Sequence, residues 1–367
     1  MQADNLVLLA EILECSPDEL AITSAADVFT NHNQLNRTAD MIENEGLVHD
    51  IFAEGKWSLI ENILKSVIHL HMPRNAMARM YIYLSLLAWV QYKLEESEAY
   101  ASKAVEIGKK IQSTELIARG NVLLSLKKIF SSELVVSQQL LEEAVRMSLD
   151  PESLSLGYIN LGINRWFFGD YKAAEQHTLA SFAFIAQLKD STSKFMLDNT
   201  AHAVLANVSF DAGQFNPSEQ SCLTSLQIAE TSGYKRGIGL AQIRLAELKA
   251  LQGHTKEGID LFEKGMQLIS PSEILLLIYE SGSAVYRLHG DLVQAEQWAR
   301  RGIKESRFYT GEGTFRLQLA KIEAKRGDRA KALEHLAEAR IALKRSGCLM
   351  RLEALKNMDV FFDDRGQ

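Results

Sequence analysis

Cysteine and proline are scarce in this chain, with three and five copies in 367 residues. Cys15, Cys222 and Cys348 stand far apart and are odd in number, which excludes a disulfide framework and a zinc knuckle built from ligands a few residues apart. A reducing cytoplasm is the expected setting. Long apolar runs are missing too: no stretch reaches the ~18 uncharged apolar residues that a membrane span requires. The opening MQADNLVLLAEILE carries acids where a secretory signal carries bases, so neither secretion nor membrane insertion is expected. Asn-Gly and Asp-Gly hairpin turns between alternating segments are absent, which argues against a β fold. The net charge of −7 and isoelectric point near 5.8 make direct nucleic-acid binding unexpected. That charge is uneven. Residues 1–60 hold eleven acids against Arg37 and Lys56, whereas Arg287 to Arg345 holds fourteen bases against eight acids.

What the chain does have is helical periodicity. Apolar residues recur at three- and four-residue intervals in SLGYINLGINRWFF, GLAQIRLAELKALQG and FRLQLAKIEAKRG, and the spacing predicts an all-α protein. The few prolines agree. Ser16-Pro17-Asp18-Glu19 and Ser270-Pro271-Ser272-Glu273 read as capping boxes, and Asp150-Pro151 and Asn216-Pro217 as a cap followed by a first-turn proline. Pro73 marks a further helix start.

Between the helices a repeat emerges. Gly169, Gly213, Gly253, Gly290 and Gly327 are spaced 44, 40, 37 and 37 residues apart, in the turns GDYKAA, GQFNPS, GHTKEG, GDLVQA and GDRAKA. Five positions after each glycine comes a small residue: Ala174, Ser218, Gly258, Ala295 or Ala332. A turn glycine can adopt the left-handed conformation that ends one helix, and a small residue in the next helix lets the pair approach closely. The frame extends back through Ser132, Tyr92 and Gly55, with Ser137 and Ser97 in the small position and Ile60 replacing it in the first copy. Eight helical hairpins are readable over residues 41–346, flanked by an N-terminal helical cap at 1–40 and a C-terminal capping helix and tail at 347–367.

With these residues in view the sequence resembles the tetratricopeptide repeat superfamily. Leu161-Gly162, Gly169, Tyr171 and Ala174 match the family's helix A pair, turn glycine, aromatic and helix B alanine. Leu84-Ser85, Leu124-Ser125, Leu205-Ala206, Leu245-Ala246 and Leu319-Ala320 repeat the first pair, more weakly echoed by Gly282-Ser283. Small residues late in helix B fall at Ala104, Ala144, Ser181, Ser225, Gly265, Gly302 and Ala339. The intervals exceed the common 34 residues and the inter-repeat proline is mostly missing, so the chain resembles a divergent long-helix variant, similar to central or sensory domains of bacterial multidomain regulators. The resemblance implies a right-handed superhelix of about eight hairpins whose A helices line a concave groove.

No nucleotide-binding, metalloprotease, nucleophile-elbow or EF-hand motif occurs, so no enzyme activity, metal or cofactor is expected. His69 and His71 lack a clustered third ligand. The register implied by the resemblance brings Trp89, Phe130, Trp166 and Phe210 towards the groove, either as core or as a binding platform. It also brings Arg79, Arg119, Asn207, Asp211, Glu247, Glu280, Arg287, Lys321 and Lys325 there, giving a groove acidic in the middle and basic towards its C-terminal end. A bound peptide would take main-chain hydrogen bonds from Asn207 and charge pairing from Asp211, Glu247 or Arg287. The leading expectation is a protein- or peptide-binding regulatory scaffold; the alternative is a sensor of a small effector or signalling peptide that controls an output. Homo-oligomerisation through exposed aromatics stays open.

Overall fold

In a computed structural model the chain is described at residues 42, 57–68, 72–131, 133–269, 276–306, 309–349, 352, 355 and 356. The expected cap over 1–40, the capping boxes at Ser16 and Ser270, His69, His71, Cys15 and most of the 347–367 segment lie outside these residues. The described residues form helices only: α1 (Trp57–Val67), α2 (Arg74–Val90), α3 (Leu94–Lys110), α4 (Thr114–Phe130), α5 (Leu134–Met147), α6 (Pro151–Phe167), α7 (Tyr171–Ile185) and α8 (Thr192–Asp211). They continue with α9 (Phe215–Ser232), α10 (Lys235–Leu251), α11 (Thr255–Leu268), α12 (Leu276–His289), α13 (Leu292–Glu305), α14 (Tyr309–Arg326) and α15 (Arg329–Ser346). From α2 onward they pair into seven A–B hairpins, and α1 is the B helix of the first repeat.

The turns behave as the spacing requires. Gly169, Gly213, Gly253, Gly290 and Gly327 all have positive φ, between 74° and 103°. Tyr92, at the same place in its repeat, is also left-handed at φ 59°, so the frame persists where the glycine does not. Where aspartate follows the glycine it caps helix B: Asp170, Asp291 and Asp328 accept from the backbone N–H of Ala173, Gln294 and Lys331. Ser113, Asp150 and Ser191 cap α4, α6 and α8 in the same way. Asn216 does not cap. Helix α9 begins earlier, with Gln214 as its cap residue, and Pro217 falls in the first turn, where the N–H it lacks has no intrahelical partner to lose.

The small positions bring the helices together. Ala174, Ala295 and Ala332 are fully buried, as are Ser97, Ser137 and Ser218. At Gly265 of α11 an added Cβ would lie 2.7 Å from the Gly239 carbonyl oxygen of α10. Each A helix touches the next A helix as well as its flanking B helices, and no comparable contact joins successive B helices among the described residues. This imbalance curves the array with the A helices inside, giving an all-α, tetratricopeptide-like superhelix. No helix among the described residues is long and apolar enough to cross a membrane.

The array also meets itself. Ile129, Leu134 and Phe167, from the α4–α6 region, share one apolar cluster with Leu317, Leu336, Leu343, Cys348 and Leu355 from the far end. A cavity of ≈ 300 Å³ follows this seam, between Glu133–Val136 and Phe168 on one side and Gly347 on the other.

Two glycine substitutions separate backbone conformation from helix approach. Gly213 has positive φ and open space around its missing Cβ, so Gly213→Ala should cost about 1 kcal/mol. Gly265→Ala should lower the urea midpoint further, because a backbone oxygen blocks the added methyl.

Candidate ligand groove

The concave wall is built by α2, α4, α6, α8, α10, α12 and α14. At its front Arg79 pairs with Glu115 at 3.1 Å and Arg119 with Glu152 at 2.8 Å, each link joining one A helix to the next. Burial works against the charge of Arg119, but Glu152, together with Tyr83, Glu115 and Asp150, holds its pKa above the ordinary value. The neighbouring Tyr83 hydroxyl is pushed up to about 12 by burial, against the pull of Arg119 and Arg79. Arg119 therefore serves as a buried brace between α4 and α6.

The aromatic residues are shared between core and surface. Trp89 and Phe130 lie 5.0 Å apart between ring centroids, and Phe130 meets Phe167 edge-on at 5.5 Å. Phe130 and Trp166 pack on the seam cluster, and both remain partly buried. Trp166 Nε1 donates to Asp211 Oδ2 at 2.9 Å, so that indole and carboxylate link α6 to α8.

The centre of the wall is organised by Arg244 of α10, which is only 4% exposed. Its Nε donates to Asn207 Oδ1 at 2.8 Å, and its Nη1 donates to Glu247 Oε2 at 3.0 Å. Ser281 Oγ of α12 donates to the same carboxylate oxygen at 2.9 Å. The guanidinium stacks 4.3 Å from the Phe210 ring centroid. Asn207, Phe210 and Glu247 thus meet around one arginine that ties three A helices together. Because Oδ1 of Asn207 is taken by Arg244, the amide is fixed with Nδ2 as its open donor. Beside this network lies a cavity of ≈ 50 Å³ touching Asn207, Cys222 and Arg244. An empty space of that size costs a fold about 1 kcal/mol.

Towards the C-terminal end, buried Glu280 accepts from Gln318 Nε2 at 3.4 Å. Burial lowers the pKa of Arg287, with Glu247 the carboxylate acting against that shift. Lys325 Nζ donates to the Arg287 carbonyl at 2.7 Å, and Lys321 lies one turn earlier on α14. Arg287 of α12 and Lys321 and Lys325 of α14 therefore lie on neighbouring A helices.

Arg244, Ser281 and Glu152 are absent from the residues singled out by sequence. Their signal was faint but present. Arg244 is a lone cation on the apolar face of GLAQIRLAEL, and Arg244, Ser281 and Gln318 recur at the 37-residue interval. Among the described residues no group of three or more His, Cys, Asp or Glu could hold a metal ion.

No family model matches the chain, and no curated protein matches it. Solved structures do. A Rap protein complexed with competence and sporulation factor aligns with TM-score 0.66 at 10% identity, over 94% of this chain and 98% of that one. The Rap conjugation gene regulator of plasmid pLS20, in complex with a peptide, gives TM-score 0.58 at 11% identity, over 94% and 96%. NprR in complex with its cognate peptide NprX gives 0.53 at 14% identity, over 77% and 87%. These likenesses show that the fold is the tetratricopeptide-like superhelix of Rap- and NprR-type proteins.

Arg244→Met should be severely destabilising, by about 3–5 kcal/mol, because it leaves the Glu247 carboxylate buried without its cation. The double variant Arg244→Met/Glu247→Gln should recover much of that loss, and thermal unfolding of the two proteins checks it.

Proposed function

We propose that the chain is a peptide-sensing regulatory domain of the cytoplasm, which binds a short extended peptide along its concave face and performs no chemistry of its own. The observation that carries this reading is the Asn207 amide, held in one orientation by Arg244 so that a hydrogen-bond donor is presented beside an arginine-centred wall. A peptide main chain offers carbonyl acceptors at regular spacing, and an oriented amide donor on a rigid helix fits them. Mixed charge along the wall, with Asp211 near the centre and Arg287, Lys321 and Lys325 towards the end, suits a ligand with both charges. The like-folded NprR and pLS20 regulators were solved with peptides bound, which favours a sensor over a static docking scaffold. Binding across several A helices would change their relative tilt and so the curvature of the whole array.

The test is fluorescence anisotropy with a labelled library of short random peptides. Selected binders should lose about tenfold in affinity with Asn207→Ala, the cost of one buried hydrogen bond. Binders whose affinity is indifferent to Asn207, in a variant that melts normally, would place the ligand elsewhere.

A further inference from the structure

The central cavity opens in one direction. Cys222 and Ser225 of α9, together with Ala241 and Arg244, are buried, whereas Ala203, Asn207, Leu240 and Leu277 remain partly exposed. The exposed set comes only from the A helices α8, α10 and α12, so the mouth lies on the concave side and the B helix α9 forms the floor.

The lining is suited to an apolar guest. Ser225 at the floor is committed to Asn199, with 2.8 Å between Asn199 Nδ2 and Ser225 Oγ. Burial pushes the Cys222 thiol up to about 12, so it stays protonated and uncharged. Arg244 has its Nε and Nη1 engaged by Asn207 and Glu247. Apart from Asn207 at the mouth, the remaining surface is alanine and leucine, which gives a water molecule little to bond. The ≈ 50 Å³ volume is room for a methyl to isopropyl group, roughly one to two liquid-water volumes. Larger side chains do not fit without moving Leu277 or Leu240.

We propose that this notch is a specificity pocket for a small aliphatic side chain, alanine or valine, of a peptide whose neighbouring carbonyl is taken by Asn207 Nδ2. The proposal rests on the peptide-sensing reading and adds a sequence requirement to it. The pocket stays open in the free protein because its floor and walls are fixed by the Asn199–Ser225 and Arg244–Asn207 bonds, and the bound side chain completes the interior.

A positional-scanning library of labelled short peptides tests this on wild type, Ala241→Val and Leu277→Ala. Wild type should show one position where alanine or valine is preferred over glycine and over phenylalanine by about tenfold. Ala241→Val, which fills the notch, should abolish that preference and keep or raise the melting temperature. Leu277→Ala should shift the preference to leucine or methionine. If peptides bind but no position shows the preference, or both variants weaken every peptide alike, the pocket assignment is wrong and the peptide-sensing reading survives. If no peptide binds wild type, both fall.

Discussion

The distance between paired helices is set where a small residue of helix B faces the small residue of helix A, and most other features follow from that distance. Thr178 of α7 comes so near α6 at Gly162 that an added Cβ there would lie 2.2 Å from its Oγ1. Ser85 Oγ bonds the Ser97 carbonyl at 2.8 Å, and Ser218 Oγ the Ala206 carbonyl at 2.8 Å, so these two hydroxyls are satisfied against the partner helix's backbone. Close hairpins leave wide, shared faces for the next hairpin. Since a single hairpin cannot bury its apolar side, the array is stable only as a stack.

Stacking on the A side has an electrostatic consequence. Curvature brings the polar residues of successive A helices into reach of one another, and the wall becomes a chain of inter-helix bonds: Arg79–Glu115, Arg119–Glu152, Trp166–Asp211, Arg244–Asn207, Glu247–Ser281 and Glu280–Gln318. Each link is partly or fully withdrawn from water, where ionic and hydrogen-bonded contacts are strong when complete and costly when broken.

Much of the fold was legible in the sequence because it repeats. Five turn glycines and the small residue after each located the last five hairpins, and even Tyr92 kept the left-handed geometry of a turn. The departure at Asn216-Pro217 arose because a proline is tolerated anywhere in a helix's first turn, so its position marks a helix start only to within a few residues. The groove was legible in part. Repeat register located Asn207, Glu247 and Arg287 on the correct helices, but register carries no information on pairing. Glu247 reads as a ligand contact in the sequence and proves to be held by Arg244 and Ser281. Trp166 and Phe130 read as either core or platform, and they help to cover a seam between distant repeats.

That seam sets the fold apart from a purely local stack. Nearly every other contact joins neighbours, so the hairpins can assemble in any order and quickly, as low contact order favours. The apposition of Glu133–Val136 with Gly347 closes a loop spanning most of the array, and its entropic penalty is met only once the intervening hairpins are in place. While the seam holds, unravelling cannot begin freely from the C-terminal repeat, and a perturbation there is felt thermodynamically in the α4–α6 region.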